Sequence, residues 1–463
     1  MQSELINRLQ DLIGPGHVHT DPEELVCYSY DATHLQGMPE IVVRPGTLEQ
    51  VRHIMALAHE RRLPVIPRGA GTNLSGGTVP LSGGIVLVTS RLNRILELDP
   101  EDFTVTVECG AITSAVHTAV EAEGLFYPPD PSSMNVSTIG GNIAECAGGP
   151  RALKYGVTRD YLLGLRAVLP DGTLLRTGGK TIKNVSGYDL TRLLCGSEGT
   201  LAVVVEATLR LIPLPEAKRT LMAIFSRLAD AAKAVNRLLR TSIVPATIEL
   251  MDDITLRTVE DYKHLGLPTD AEAALLIELD GPAQEVARQS VQVAQTCREQ
   301  GARDVRQAHD QAQSDQLWEG RRSSLAALAR ARPTTVLEDA TVPRSKIPAM
   351  VTGVKEIAER HNLMIAIFGH AGDGNLHPTI LTDQRDPAEW QRVESAISEI
   401  FRLAVSLGGT LSGEHGIGVL KRSYLPWEFG EEGLSVMSRV KRAFDPLDLL
   451  NPGKMLPSAS HPQ

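Results

Sequence analysis

No stretch of this 463-residue chain comes near the roughly 20 consecutive apolar residues of a membrane-spanning helix. Nor does it open on a charged segment followed by an apolar core: residues 1–10 read as the start of a helix, not as an export signal. The five cysteines, Cys27, Cys109, Cys146, Cys195 and Cys297, are so dispersed that no two lie within four residues of each other. That excludes a cysteine-held iron–sulfur cluster in this chain. Their odd number and wide spacing fit a reducing compartment and mostly buried thiols. Basic residues form no long cluster and the formal net charge is -10, which argues against nucleic acid or an anionic membrane as the main partner. What remains is a cytoplasmic globular chain of roughly two or three domains. There is no internal repeat, and only 457–463 is expected to be disordered.

Glycine, by contrast, is plentiful and clustered. A strand candidate at 63–66 runs into Pro67-Arg68-Gly69-Ala70-Gly71-Thr72-Asn73-Leu74 and then Ser75-Gly76-Gly77. Small residues in succession let backbone N–H groups turn inward and approach a pyrophosphate. The third glycine of the Rossmann fingerprint is missing, and the next apolar segment, 85–89, reads as a strand where that motif requires a helix. The Gly-Lys-Ser/Thr ending of a P-loop is absent too. The loop suits a dinucleotide held by another fold, or is simply a flexible hairpin loop. A second small-residue region, 128–149, contains Pro131, Ser132, Thr138, Gly141, Asn142 and Gly148; Tyr155, Gly156 and Val157 follow it. Such composition is expected where backbone lies close to a large flat ligand.

Around these loops the periodicity predicts a helix at the N-terminus and an extended piece at 28–33. It predicts strands at 41–43 and 201–211, and a hairpin from 163 to 177 turning at Pro170-Asp171-Gly172. Thr47, three residues before Gln50, gives a capping box for a helix over 51–58. Composition shifts at Pro213-Leu214-Pro215, where a domain boundary is placed. Beyond it, strands at 220–225, 247–251 and 274–279, with helices at 228–239 and 285–300, predict an α+β domain with an antiparallel sheet. Further helices are expected around Trp318, at 343–360 and at 431–443, and turns at 444–454. The expected division is 1–215, 216–425 and 426–463.

The chemistry converges on Phe368-Gly-His370-Ala-Gly-Asp-Gly-Asn375-Leu-His377-Pro378. Residues 363–368 are apolar, long enough for a buried strand and too short for a helix. Asp-Gly and Gly-Asn between two apolar runs are turn chemistry, so His370 and His377 flank a chain reversal that brings both imidazoles within reach of one cation. Glu414 and His415 stand in a second glycine loop, Ser412-Gly-Glu-His-Gly-Ile-Gly418. His370, His377 and Glu414 would form a two-histidine, one-carboxylate shell with a coordination position open, the pattern of a catalytic metal. The alternative is two histidines merely hydrogen-bonded beside a strand end.

Six motifs in order resemble the FAD-linked oxidases of the vanillyl-alcohol-oxidase type. They are Pro-Arg-Gly-Ala-Gly-Thr at 67–72, Pro-Asp-Pro-Ser-Ser at 129–133, Gly-Ser-Glu-Gly-Thr-Leu at 196–201, and the histidine, Glu-His and Asn-Pro-Gly-Lys (451–454) segments. The likeness spans 28–456 and is strongest to the branch holding flavin subunits of glycolate oxidases with D-lactate and D-2-hydroxyglutarate dehydrogenases. It implies an α+β fold: a two-subdomain FAD-binding domain, a ferredoxin-like α+β cap, and a C-terminal segment returning to the FAD domain. It implies that residues 67–74 hold the FAD pyrophosphate. Pro131, Ser132, Thr138, Gly141, Asn142, Gly148, Tyr155, Gly156, Val157, Glu198, Gly199, Val203 and Asn451 would line the rest. Some relatives attach FAD through a histidine near the first loop; none occurs here between His59 and His117, so non-covalent FAD is expected.

The resemblance further implies oxidation of a small 2-hydroxy acid, glycolate or D-lactate, to the 2-keto acid. His415 would be the general base, Arg321 (in preference to Arg322) the carboxylate holder, and Asn375 a turn residue with a secondary role near substrate. The divalent metal is expected to be zinc, with manganese and iron as alternatives. Some relatives carry a Lys or Tyr for a second carboxylate within the segment corresponding to 331–339; this chain has neither there, which disfavours 2-hydroxyglutarate unless Arg330, Arg332 or Arg344 substitutes. With no iron–sulfur ligands and no NAD motif, electrons would leave to an iron–sulfur partner subunit or a quinone-linked acceptor, with peripheral membrane association through that partner. A homodimer is also compatible with the sequence. The rival from another class is a metal-dependent hydrolase using the same His-His-Glu site, which leaves both small-residue regions without a role.

Overall fold

The computed structural model describes residues 2–456, so the expectation for 457–463 lies outside the described residues. The chain divides into two compact units: 1–148, 157–214 and 414–463 form one, 149–156 and 215–413 the other.

The first unit contains a two-stranded sheet, Leu125–Phe126 with Ile212–Pro213, and two larger ones. One has the strand order Val18–His19, Ile41–Val43, Ile85–Val88, Val65–Arg68, the last three parallel. Its central strands are buried on both faces, as parallel strands covered by helices are. The helix Leu48–Arg61 crosses between two of them, placing Val51, Ile54, Met55 and Ala58 in the core. Thr47 Oγ1 caps it by accepting from Gln50 N–H (3.2 Å), while Gln50 Oε1 reaches back to Gly46 N–H (2.7 Å), one residue earlier than a capping box prescribes. The second sheet is antiparallel, in the order Ile95–Asp99, Thr104–Glu108, Val203–Arg210, Leu162–Val168, Leu174–Gly178. The helices Thr113–Glu121 and Ile139–Glu145 were not legible in the sequence; in the latter, Gly140, Gly141 and Asn142 interrupt the apolar period.

The 28–33 segment departs from expectation. It is a 3₁₀ turn, Val26–Tyr28, followed by an isolated bridge from Tyr30 to Gln36. Asp31 explains this: its Oδ1 accepts from Thr33 N–H (2.9 Å) and Oγ1–H (2.6 Å), a local turn that competes with strand pairing.

The second unit is built on an eight-stranded antiparallel sheet. Its main order is Ala302–Gln307, Ala217–Phe225, Ala273–Gly281, Thr247–Asp252, Met364–His370, Asn375–Thr382, Thr334–Leu337. The helices Leu228–Leu238, Ala283–Glu299, Ile347–His361 and Pro387–Ser406 supply side chains to one apolar core with it. On the opposite face Asp253–Lys263, Gln311–Arg322 and Ser324–Ala331 contribute to another. Among the described residues no helix is long and apolar enough to cross a membrane.

Candidate active site and cofactor loops

In the second unit the predicted chain reversal is a hairpin of Met364–His370 and Asn375–Thr382, pairing Phe368 with His377 and His370 with Asn375. Gly374 makes the turn possible: its φ is +95°, and a Cβ there would lie 2.1 Å from the Val342 carbonyl oxygen. The imidazoles of His370 and His377 meet edge to face, with centroids 5.2 Å apart and planes at 89°. Both residues are buried.

Two carboxylates back this pair. Glu249, on the adjacent strand Thr247–Asp252, is fully buried, with Oε1 2.7 Å from His370 Nδ1 and Oε2 accepting from Arg321 Nε at 2.6 Å. Burial alone would raise the Glu249 pKa, but the charges of His370 and Arg321 outweigh it and hold the carboxyl down to about 2. The Arg321 guanidinium also stacks over the Phe368 ring, 4.8 Å from its centroid. Asp339 places Oδ1 4.0 Å from His377 Nδ1, and its Oδ2 accepts from Ser412 Oγ–H (2.6 Å) and Gly413 N–H (2.8 Å). Asn375 holds the turn, its Oδ1 accepting from Thr341 Oγ1–H (3.0 Å) and its N–H donating to Asp373 (3.0 Å).

This donor set fits a divalent cation. A carboxylate on Nδ1 fixes the imidazole's orientation and, with the ring neutral, would make Nε2 of His370 the ligand atom. Sequence reasoning missed Glu249 and Asp339. The signal for Glu249 was present: a carboxylate in the apolar run Ile248-Glu249-Leu250-Met251 must find a partner when buried.

Arg321 is buried against Glu249, while Arg322 lies over the Trp318 ring (5.7 Å). Arg330 stacks on Tyr262 (5.3 Å) and Arg332 donates to both oxygens of Glu389 (2.8 and 3.0 Å), so each is already engaged. Tyr155 and Gly156 belong to this unit, and the Tyr155 hydroxyl donates to Asp280 Oδ2 at 2.7 Å.

The first unit carries the other predicted residues. A cavity of about 580 Å³ is lined by Tyr28, Tyr30, Asp31 and the loop Arg68 to Thr72, a size that suits part of a large cofactor. Tyr28, Tyr30 and Asp31 were not anticipated there. Arg68 is buried, donating to the Tyr30 carbonyl oxygen (2.7 Å), and Asn73 Nδ2 donates to Asp31 Oδ2 (2.9 Å). At Gly69 a Cβ would fall 2.3 Å from Thr138 Oγ1, the atom that caps the helix Ile139–Glu145 by accepting from Gly141 N–H (3.2 Å). Gly69→Ala should therefore break that cap, at a cost of about 1 kcal/mol, and distort the loop. The expected outcome is protein purified with a lower flavin-to-protein absorbance ratio than wild type.

Asn142 donates to Thr113 Oγ1 (2.8 Å), and Asn451 Nδ2 donates to the carbonyl oxygens of Gly77 (2.9 Å) and Glu198 (2.8 Å). Val203 opens a strand, Gly199 has φ +65°, and Gly148 leaves room for Glu414, whose Oε2 would be 2.8 Å from a Cβ there. Pro131 and Ser132 start the turn that leads to Thr138, and Val157 N–H donates to Asp160 (2.8 Å). Pro67 lies on the strand Val65–Arg68, and Ala70, Gly71, Thr72 and Leu74 in the loop after it. Glu414 and His415 also belong to this unit, with His415 Nε2 3.9 Å from Glu414 Oε1.

Family models match the two regions separately: "FAD binding domain" over residues 39–178 and "FAD linked oxidases, C-terminal domain" over 214–455. The chain belongs to the FAD-linked oxidase family. Among its relatives, the glycolate oxidase subunit GlcD of Bacillus subtilis (strain 168) is 50% identical over 449 residues, covering 97% of this chain and 96% of that protein. A D-lactate dehydrogenase of Archaeoglobus fulgidus is 38% identical over 440 residues, covering 93% of this chain and 95% of that protein. The solved structure of p-cresol methylhydroxylase superposes with a TM-score of 0.80 over 100% of this chain and 98% of that one, at 16% identity. The fold is thus the vanillyl-alcohol-oxidase type that the motifs implied, and the expected family membership holds.

Proposed function

We propose that the protein is an FAD-dependent dehydrogenase that oxidises a small 2-hydroxy acid, glycolate or D-lactate, to the 2-keto acid. The observation that carries this reading is the buried His370–Glu249–Arg321 chain beside His377, within a family whose relatives are named for these two substrates. His370, His377 and Glu414 would hold the divalent metal, with zinc first and manganese or iron as alternatives. The loop 67–74 with Thr138, Asn142, Gly199 and Asn451 would hold FAD without a covalent bond. When bound, FAD accepts the two electrons and the metal polarises the substrate hydroxyl.

The chain's own residues do the remaining work. Arg321 spends Nε on Glu249, which aims the planar guanidinium and leaves its two Nη groups to grip the substrate carboxylate. His415 takes the hydroxyl proton as general base. Asn375 sets the turn between the two metal-binding histidines. Arg330 and Arg332 are engaged elsewhere, which leaves Arg344 alone of the three candidates to meet a second substrate carboxylate; glycolate and D-lactate are therefore preferred over D-2-hydroxyglutarate.

The relative's name describes a subunit. An iron–sulfur partner or a quinone-linked acceptor would receive the electrons. The test is dye reduction by the purified, metal-supplemented protein with glycolate, D-lactate, L-lactate and D-2-hydroxyglutarate. Turnover with glycolate or D-lactate is expected; a colourless protein inert toward all four would favour the metal-dependent hydrolase instead. In the same preparation, acid or heat denaturation should release all flavin into the supernatant, and yellow colour on the precipitated polypeptide would refute non-covalent binding.

A further inference from the structure

We infer that Glu198 is a positioning residue for His415: its carboxylate clamps the loop that immediately follows the proposed base and so fixes where the imidazole stands. This rests on His415 being the base, and it gives Glu198 a role other than lining FAD.

The clamp is bidentate. Ile417 N–H donates to Glu198 Oε1 at 2.7 Å and Gly418 N–H to Oε2 at 2.6 Å, two charge-assisted bonds from consecutive backbone amides to one carboxylate. The acid is 5% exposed, with its own backbone at φ +52°, a left-handed conformation that non-glycine residues seldom adopt. Tertiary contacts enforce that conformation: Glu198 N–H donates to the Ala144 carbonyl oxygen (2.8 Å), and its own carbonyl oxygen accepts from Asn451 Nδ2 (2.8 Å). A residue strained in its backbone, anchored at both N–H and C=O, and aimed at two amides is a rigid support.

The loop has no room to yield. At Gly416, with φ +82°, a Cβ would sit 2.0 Å from Glu145 Oε2 and 3.1 Å from Glu198 Oε1. At Gly418 it would sit 2.1 Å from the Ser75 carbonyl oxygen, the same oxygen that accepts from Val419 N–H at 2.9 Å. The chain after His415 is therefore pressed onto Glu145 and Ser75 and gripped by Glu198. The requirement is for a carboxylate, because only that group offers two parallel acceptors. A glutamine of the same size accepts from one amide and turns its NH₂ against the other, which forces the loop off its path. Displacing a reacting group by about 1 Å costs on the order of 10²-fold in rate.

A double-mutant cycle tests this. Flavin bleaching by glycolate or D-lactate, whichever the dye screen supports, is followed anaerobically in wild type, Glu198→Gln, His415→Ala and the double variant, over hours where rates are slow. Glu198→Gln is expected to lower the rate about 10- to 100-fold, with unchanged flavin content and KM, and to cost little further when His415 is already alanine. A rate near that of wild type overturns the inference. So does loss of flavin, or the same fold-loss in both backgrounds, since either marks a role at the cofactor or in general folding. If Glu198→Gln is insoluble, Glu198→Asp, charged but a methylene too short to reach both amides, enters the same cycle. The underlying reading fails independently: a His415→Ala protein that bleaches at the wild-type rate removes the base, whatever Glu198→Gln does.

Discussion

Replacing His415 by alanine should lower kcat by about 10²- to 10⁴-fold, the range that positioned general bases contribute, while the protein keeps its flavin. In the proposed reaction His415 would take the proton of the 2-hydroxyl, and it is not among the residues proposed to hold FAD. The loop that carries it is anchored through the backbone amides of Ile417 and Gly418, so truncation should leave the loop path intact. The flavin absorbance ratio and thermal midpoint should thus match wild type while steady-state dye reduction collapses. If activity falls only in proportion to lost flavin, His415 is structural.

The second large effect is expected at Glu249, where stability and metal affinity should move together. Truncation to alanine leaves the Arg321 guanidinium buried beside Phe368 without its carboxylate, which costs about 3–5 kcal/mol when a buried pair loses one partner. It also frees the His370 ring, and loss of such an outer carboxylate typically weakens metal binding about 10- to 100-fold. Both should appear together: a lower thermal midpoint, and a zinc or manganese content that falls on dialysis against a chelator that leaves wild type loaded. Replacing both Glu249 and Arg321 by leucine and methionine separates the two effects. An apolar pair of similar volume recovers much of the stability but neither the metal affinity nor turnover. Recovery of turnover in that double variant would refute the proposed roles of both residues.

The sign of the acid response follows from the same carboxyl. A group whose folded pKa is depressed to about 2 stabilises the fold fully above its unfolded value of about 4.5 and loses that contribution as pH falls toward 2. The wild-type protein should lose more stability across that window than the double variant does. Equal acid sensitivity in the two would mean that the Glu249 carboxyl is not held as the structure indicates.

The sequence by itself determined the parts with a local physical signature. Gly-rich loops with small flanking residues, a turn cluster between His370 and His377, and an alternation of strands and helices after Pro215 each follow from short-range chemistry, and each lies where it was read. Other features depended on residues far apart in the chain. Glu249 stands 121 positions from the histidine it orients, and Glu198 219 positions from the amide of Ile417; no periodicity connects such pairs. The segment 28–33 was read as extended, whereas Asp31 accepts from Thr33 N–H and closes a local turn there, and the helix Ile139–Glu145 was missed because Thr138 caps a segment too rich in glycine to declare itself. Local composition fixes which residues can do chemistry. Only tertiary packing decides which buried charges face them, because a carboxylate taken out of water must be met by a donor that the fold, not the neighbouring sequence, brings to it.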